Sequence, residues 1–321
     1  MQTVTLTRLS ELSFKGFELF SDVYQEVVII KMLSNLHRTM CDKAGYEYQA
    51  HSFPKIYQTR VVHGEIPNYF LIRKYNESIS KIKPVERFED SLGVPREHLV
   101  IVMKFAGDSL WDRIQSHHRE GITPEQLISV CYQVVLALAV SETIFQFEHR
   151  DLHVCNILIK PTKKKHTMFK FRSMQYQVKS FGVKACIIDA TFSRMALGNS
   201  IYFIDLTSRL KGTITNQNPD GQEIVYQKMY HLIGDRWSEW FPETNIYWLK
   251  YFFEQILTCD VFSKNADQQQ KDSLNGLVKK VDNFKMVSDF FVNVLHDNTN
   301  HRQQSQQAQI TRTQATSVSD F

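Results

Sequence analysis

The sequence predicts an α+β fold in two lobes, the second of them mostly helical, and three observations lead to this prediction. "SDVYQEVVIIKMLSNLH", from Ser21, has the apolar spacing of a helix. A second helix begins with Thr123 as N-cap, Pro124 at the first helical position and Gln126 completing a capping box. "NILIK" and "VKACIID" are typical of two short strands, separated by the basic loop "KPTKKKH".

Composition along the chain predicts three segments. Residues 1–107 hold the first helix and the buried strand "HLVIVMKFAG". Residues 108–298 hold the mostly helical lobe, in which "NIYWLKYFFEQIL" and "LVKKVDNFKMVSDFFVNVL" have helical spacing with aromatic faces. Residues 299–321 are rich in Gln, Ser and Thr with few apolar groups, so we expect a disordered tail.

The overall composition is that of an ordinary globular protein, with 43% hydrophobic and 22% charged residues. The net charge of +4 is spread along the chain, so no direct nucleic-acid binding is predicted. The five cysteines show no C-x-x-C spacing, which favours a reducing compartment, the nucleus or the cytoplasm. No apolar run approaches the roughly 18 residues of a membrane helix, so we expect no membrane association.

The stretch "FEHRDLHVCNILIK" brings together the residue types that phosphoryl transfer needs. Asp151 can orient a hydroxyl and accept its proton, while Asn156 and Asp189 can supply oxygen ligands to metal ions. Taken singly, such an Asp is usually a cap and such an Asn a turn residue. The order of long helix, H-R-D-L, three residues, Asn, strand, hairpin and I-I-D favours the functional interpretation.

The chain resembles the protein kinase superfamily and, within it, the haspin-like kinases. Three features carry the resemblance: "FEHRDLH", with His153 where most protein kinases have Lys, "IIDATFSR", and the tryptophan-rich block "DRWSEWFPETNIYWLKYF" at 235–252. The resemblance covers roughly Asp22 to Asn298. It implies a two-lobed protein-kinase-like fold, here with a truncated N-lobe.

The resemblance also implies roles for individual residues. Asp151 would be the catalytic base, in a motif shared with His149 and Arg150, and Asn156 and Asp189 would bind Mg²⁺. The residues implied around ATP are the hinge, the floor beneath adenine and a helix glutamate that pairs with a phosphate-binding lysine: Phe105, Ala106, Gly107, Leu158, Ile188 and Glu26. The implied partner is a protein substrate, with histone or chromatin proteins as candidates, and the implied state is a monomer. In protein kinases, the arginine at the position of Arg150 normally pairs with a phosphorylated activation segment. The resemblance to haspin-like kinases implies activity without that phosphate.

The region before Glu26 departs from the kinase pattern. The sequence contains no G-x-G-x-x-G motif, and only 25 residues precede Glu26. The phosphate-binding lysine of the family is expected about 20 or more residues upstream of that glutamate. Lys15 is the sole lysine there, and its position does not match.

The second lobe departs from the pattern at three further places. Cys155 stands where haspin-like loops have Gly, and it would crowd the loop if that position required a positive φ. The aspartate that normally anchors the catalytic loop is expected at Ile224, with the neighbouring Glu223 as a substitute. Arg209 and Lys211 would repel a basic histone tail.

Three functions therefore remain open from the sequence. The first is an active serine/threonine kinase whose N-terminal strands are missing from the sequence or supplied differently. The second is a pseudokinase or interaction module without the Gly-rich loop and the lysine. The third is a small-molecule phosphotransferase of the aminoglycoside type, against which Arg150, "DATFSR" and the tryptophan-rich block argue.

Overall fold

The computed structural model describes two compact units. The residues that it describes are 5–6, 20–63, 97–116 and 121–296. The first unit holds residues 5–6, 56–63 and 97–104, and the second holds the remaining described residues. Lys15 and the predicted disordered tail at 299–321 lie outside the described residues.

In the part of the chain that the structure describes, the strands form five small sheets, all antiparallel. In chain order they are β1 (Thr5–Leu6), β2 (Met40–Cys41), β3 (Glu47–Tyr48), β4 (Ile56–His63), β5 (Glu97–Met103), β6 (Asp108–Ser109), β7 (Ile157–Pro161), β8 (His166–Phe171), β9 (Met174–Lys179), β10 (Val183–Ile187), β11 (Met195–Leu197) and β12 (Ser200–Tyr202). The first unit is the sheet β1-β5-β4. The strand predicted from "HLVIVMKFAG" is β5, which ends at Met103 rather than at Gly107.

The helices formed by the described residues lie in the second unit. They are α1 (Phe20–Asn35), α2 (Leu110–Gln115), α3 (Pro124–Phe145), α4 (Thr207–Thr215), α5 (Gly221–Ile233), α6 (Glu243–Thr258), α7 (Asp260–Asn265), α8 (Gln268–Val281) and α9 (Val287–Phe290), with a 3₁₀ turn at Val154–Asn156 and a π-helical turn at Phe291–Leu295. The helices predicted in "SDVYQEVVIIKMLSNLH" and "NIYWLKYFFEQIL" are confirmed as α1 and α6.

The prediction of continuous helical spacing through "LVKKVDNFKMVSDFFVNVL" is wrong. The chain leaves α8 at Val281 and resumes helical structure only at Val287. A turn closes between them, because the backbone N–H of Phe284 donates to the carbonyl of Val281 at 3.2 Å. Phe284 then packs against Phe290, with 5.7 Å between ring centroids, so an aromatic contact rather than a helical turn joins the two segments.

Helix α3 is the central core helix of the second unit. The predicted capping box is confirmed, since the N–H of Gln126 donates to Thr123 Oγ1 at 3.3 Å and the N–H of Thr123 donates to Gln126 Oε1 at 3.0 Å. Among the described residues, α3 is the one helix that is long and apolar enough, by length and composition alone, to cross a membrane. The expectation that no apolar run approaches this length is therefore wrong. Its most apolar window is 78% buried within the protein, as in a core helix.

The predicted pairing of "NILIK" with "VKACIID" is confirmed, but the connection between the two strands is more than a basic loop. Strands β7 and β10 pair from Ile157↔Ile187 to Pro161↔Val183. Between them the chain forms a second hairpin, β8–β9, with Phe169 and Tyr176 buried. The sequence did not predict this hairpin. Its alternation of buried and more exposed residues begins directly after the lysines of "KPTKKKH", which are typical of a loop.

The segment after α1, which includes Gln49 and Ser52, forms backbone hydrogen bonds with strands of the second unit. The backbones of Gln49 and Lys170 exchange two hydrogen bonds of 2.8 and 2.9 Å. The N–H of Ile187 donates to the carbonyl of Ser52 at 2.8 Å. The segment therefore connects α1 to both β8 and the end of β10, next to Asp189.

We predict that His51 makes folding stability depend on pH. Its Nδ1 lies 3.2 Å from Nδ1 of His37, and burial, with smaller contributions from His37, Lys184 and Lys164, lowers the pKa of His51 from 6.5 to about 4. The unfolded chain therefore binds a proton that the folded chain does not. The free energy of unfolding should fall as the pH drops below 6.5 towards 4, with a slope approaching about 1.4 kcal/mol per pH unit.

Urea unfolding between about pH 7 and pH 5 tests this. His51→Gln should flatten the pH dependence by this amount, whereas His231→Gln, which changes an exposed histidine, should leave it unaltered. Equal slopes in the wild type and His51→Gln would contradict the assignment.

We predict that Gly107→Ala is strongly destabilising. Gly107 has φ +108, and a Cβ atom there would overlap the carbonyl oxygen of Ile159 in β7. The expected loss in the free energy of unfolding is about 2 kcal/mol or more. Gly276→Ala is the matched control, because Gly276 lies in α8 with open space around it and should gain about 0.5–1 kcal/mol. Comparable stability of the two variants would contradict the close approach.

Candidate catalytic site

A buried ion pair fixes the start of the predicted catalytic loop. Arg150 Nε donates to Glu148 Oε2 at 3.0 Å, and both side chains are fully buried. Thr244 Oγ1 and the N–H of Phe241 also donate to this carboxylate, each at 2.9 Å. Arg150 Nη1 donates to the carbonyl of Trp237 at 3.1 Å. The guanidinium thus lies inside the protein, facing the tryptophan-rich block.

His149 connects the loop to the segment that carries Asp189. Its Nε2 lies 3.0 Å from the carbonyl oxygen of Ile188, to which it donates. Burial lowers the pKa of His149 from 6.5 to about 4, so the ring is neutral near pH 7. The sequence placed His149 in the catalytic motif, and in the structure it lies beside Asp189 and holds the loop.

The anchor of the loop is Asn245 on α6, rather than the residues that the sequence suggested. Asn245 Oδ1 accepts the N–H of His149 at 3.0 Å, and Asn245 Nδ2 donates to the carbonyl of Phe147 at 2.7 Å. Ile224 is instead 40% exposed, and Glu223 completes the capping box of α5. The expectation about Ile224 and Glu223 is wrong, because both residues lie on α5 and the residue that anchors the loop lies on α6.

The carboxylate of Asp151 lies at the centre of the loop. Its Oδ1 accepts a hydrogen bond of 2.5 Å from the hydroxyl of Tyr226, which the sequence did not single out. His153 Nε2 lies 3.5 Å from the same oxygen. Asn156 Nδ2 donates to the backbone carbonyl of Asp151 at 2.9 Å and lies 3.3 Å from Oδ2. Side chains from the loop and from α5 therefore fix this carboxylate.

Asn156 and Asp189 lie side by side, as the metal-ligand prediction requires. The N–H of Ile188 donates to the carbonyl of Asn156 at 2.9 Å. The amide nitrogen of Asn156 is engaged with Asp151, which leaves its side-chain oxygen as the atom that can bind a metal. Asp189 adopts φ +66 and accepts the N–H of Thr191 at 3.1 Å.

This pair of oxygen donors fits Mg²⁺, which is commonly held by one or two protein groups together with substrate phosphates. Among the residues that the structure describes, no group of three His, Cys, Asp or Glu side chains forms a self-sufficient metal site. A metal here would therefore depend on the phosphates of a nucleotide for its remaining ligands.

Glu26 of α1 contacts the segment that follows Asp189. Thr191 Oγ1 donates to Glu26 Oε2 at 3.3 Å. Thr191 is the threonine of the Asp-x-Thr motif in "IIDATFSR". The lysine implied as the partner of Glu26 stays a prediction, because Lys15 lies outside the described residues.

The implied hinge residues lie next to β7. Gly107 packs against the carbonyl of Ile159, and β6 pairs with β7 so that Ser109 is opposite Leu158. Phe105 is 43% exposed, and its carbonyl accepts a hydrogen bond of 3.1 Å from Lys160 Nζ. This arrangement brings the hinge close to Leu158. Ala106 and Ile188 are half-buried, and their adenine contacts stay predictions.

Cys155 does not crowd the loop. It lies in the 3₁₀ turn Val154–Asn156 and is not among the residues with positive φ, so the position has no need of glycine. Its thiol is exposed, although partial burial and the nearby Asp112 and Asp151 raise its pKa. All five cysteines of the chain are free.

Sequence reasoning missed the residues that hold the loop: Glu148, Tyr226, Trp237, Thr244 and Asn245. A usable signal existed for four of them, because Glu148 lies within "FEHRDLH" and Trp237, Thr244 and Asn245 belong to the tryptophan-rich block. The structure shows that this block contacts the catalytic loop.

Comparisons with known proteins show which family the chain is similar to. A family model described as "Haspin like kinase domain" matches residues 3–312. The serine/threonine-protein kinase haspin homolog of Drosophila melanogaster is 34% identical over 241 residues, 74% of this chain and 39% of that protein. The homolog of Arabidopsis thaliana is 36% identical over 177 residues, 53% of this chain and 28% of that protein. Serine/threonine-protein kinase haspin of Bos taurus is 25% identical over 274 residues, 84% of this chain and 33% of that protein.

The chain thus spans about a third of the length of these relatives. Among solved structures, vaccinia related kinase 3 matches 79% of this chain and 80% of that chain, with 11% identity and a TM-score of 0.31, a likeness too weak to bear on the fold. The family model covers nearly all of the chain and confirms the predicted α+β, kinase-like fold. The chain belongs to the haspin-like kinase family.

Proposed function

We propose that this chain is a protein serine/threonine kinase domain that transfers the γ-phosphate of ATP to a protein hydroxyl with the aid of Mg²⁺. The proposal rests on one observation, which is that Asp151, Asn156 and Asp189 lie close together. Asn156 Nδ2 donates to the carbonyl of Asp151, and the N–H of Ile188, next to Asp189, donates to the carbonyl of Asn156. The names of the relatives as serine/threonine-protein kinases support it.

Each of these residues would have a different role in phosphoryl transfer. Asp151 would orient the acceptor hydroxyl and take its proton. Asn156 and Asp189 would hold Mg²⁺, which when bound with ATP neutralises charge on the phosphates. Glu26, bonded to Thr191, couples α1 to the position of Asp189.

The substrate proposed for the first test is the N-terminal tail of a histone, which the family resemblance implies. Arg209 and Lys211 are exposed on α4 and would weaken binding of a basic peptide if it passed nearby. A less basic Ser/Thr peptide should therefore be compared with the histone tail. We also propose a location in the nucleus or the cytoplasm, with the free cysteines as support.

We predict that Asp189→Ala and Asp151→Ala separate binding from chemistry. Mg²⁺-ATP should raise the melting temperature of the wild type, and Asp189→Ala should lose most of this stabilisation because a metal ligand is removed. Asp151→Ala should keep the stabilisation but lose phosphotransfer by roughly 10²- to 10⁴-fold. Thermal shift and transfer of labelled γ-phosphate measure the two quantities.

Asp235→Ala, which changes an exposed aspartate in the turn after α5, is the matched control and should behave as the wild type. No stabilisation of the wild type at millimolar Mg²⁺-ATP, or equal phosphotransfer by Asp151→Ala, would refute the proposal and favour a pseudokinase.

We predict that activity does not require phosphorylation of the segment after Asp189. Arg150, the residue expected to pair with such a phosphate, is fully buried and already paired with Glu148. Protein treated with phosphatase should therefore keep the kcat of untreated protein, within about twofold. A loss of tenfold or more on dephosphorylation would show that Arg150 leaves this ion pair.

A further inference from the structure

The hydroxyl of Tyr226 contacts the carboxylate of Asp151 across a long separation in sequence. Tyr226 lies on α5, and its hydroxyl donates to Asp151 Oδ1 at 2.5 Å. Among the hydrogen bonds described for the Asp151 side chain, this is the shortest. The contact therefore involves a carboxylate oxygen of the proposed base itself.

The surroundings of Tyr226 direct its proton towards Asp151. Gln222 Nε2, one turn earlier on α5, donates to the phenol oxygen at 3.3 Å. Because the phenol oxygen accepts from Gln222, its own hydrogen points to Asp151. Burial, followed by the charge of Asp151, raises the pKa of Tyr226, so the phenol stays protonated and remains a donor.

The ring of Tyr226 is held by aromatic packing. Trp248 of α6 packs against it nearly edge to face, with 5.0 Å between ring centroids, and Phe192 packs at 6.2 Å. Two such contacts restrict rotation of the ring and so fix the position of the hydroxyl. The hydroxyl is thus a fixed donor rather than a mobile surface group.

The other neighbours of Asp151 hold it less closely. His153 Nε2 is 3.5 Å from Oδ1, and His153 Nδ1 accepts the N–H of Cys155 at 3.2 Å. Asn156 donates mainly to the backbone carbonyl of Asp151, at 2.9 Å, and lies 3.3 Å from Oδ2. Of these described contacts, the hydrogen bond from Tyr226 therefore holds the carboxylate most closely.

We propose that Tyr226 is a positioning residue that holds the Asp151 carboxylate in the orientation needed to receive the hydroxyl proton of the substrate. This inference rests on the proposed kinase function. It assigns to α5 a direct part in orienting the catalytic aspartate, through one hydroxyl group.

Tyr226→Phe tests the inference, because it removes the hydroxyl and keeps the ring. With Mg²⁺-ATP and a histone tail peptide, kcat should fall about tenfold, while KM for ATP stays within about twofold and the melting temperature is retained. Tyr230→Phe is the matched control. Tyr230 lies one turn further along α5, packs on Trp237 and should lose only a hydroxyl that does not contact the loop.

Two further variants keep the test independent of any folding defect. Site-specific 3-fluorotyrosine at position 226 retains the donor and should restore kcat to within about twofold of the wild type. Gln222→Ala leaves the ring in place and removes the group that orients the phenol, and it should lower kcat about threefold. Rescue by the fluorinated residue would not follow from a packing role alone.

A readout without turnover separates this inference from the kinase proposal. In ¹H NMR, the Tyr226 hydroxyl should give a downfield, slowly exchanging resonance that is absent from Tyr226→Phe and moves upfield in Asp151→Asn, whose neutral amide oxygen is a weaker acceptor than the carboxylate. If the wild type transfers no phosphate but shows this resonance, the kinase proposal fails and the contact stands without a catalytic role, which overturns the inference. An unchanged kcat in Tyr226→Phe, a loss that appears in KM instead, or absence of the resonance would also overturn it.

Discussion

The buried carboxylate of Glu148 is the group on which the candidate site depends most. It accepts hydrogen bonds from the guanidinium of Arg150 and the hydroxyl of Thr244, both buried, and from the backbone N–H of Phe241, which is partly buried. The backbone of Glu148 also exchanges two hydrogen bonds of 2.9 Å with Arg194. Removing one partner of a buried ion pair typically costs about 3–5 kcal/mol, because the other charge is left uncompensated. Loss of either charge should therefore release the catalytic loop.

A second buried carboxylate extends this anchoring to the rest of the helical core. Glu142 of α3 accepts hydrogen bonds from Asn245 Nδ2 at 3.2 Å and from the N–H and hydroxyl of Ser288, each at 3.1 Å. Asn245 in turn holds the backbone of His149. The core helices and the catalytic loop are thus joined by hydrogen bonds as well as by apolar packing, which explains polar residues at fully buried positions.

The sequence predicted the elements whose signals are local and missed those that depend on long-range contacts. The cap of α3 and the spacing of α1 and α6 each lie within a few residues, so pattern and capping chemistry were sufficient. Asp151 and Asn156 were readable for the same reason, and Asp189 was readable from the strand that precedes it. Asn245 is 96 residues from the backbone group that it anchors, and Tyr226 is 75 residues from Asp151, so only the fold brings them together. The hairpin β8–β9 was masked by the lysine run before it.

We propose that Asn156 and Asp189 hold a divalent metal on the phosphates of a nucleotide. Anomalous scattering from Mn²⁺, in crystals grown with a non-hydrolysable ATP analogue, would locate the metal directly. We expect an anomalous peak bound by the side-chain oxygens of Asn156 and Asp189 and by phosphate oxygens. A bound nucleotide with no metal at these two residues, or a metal elsewhere, would contradict it.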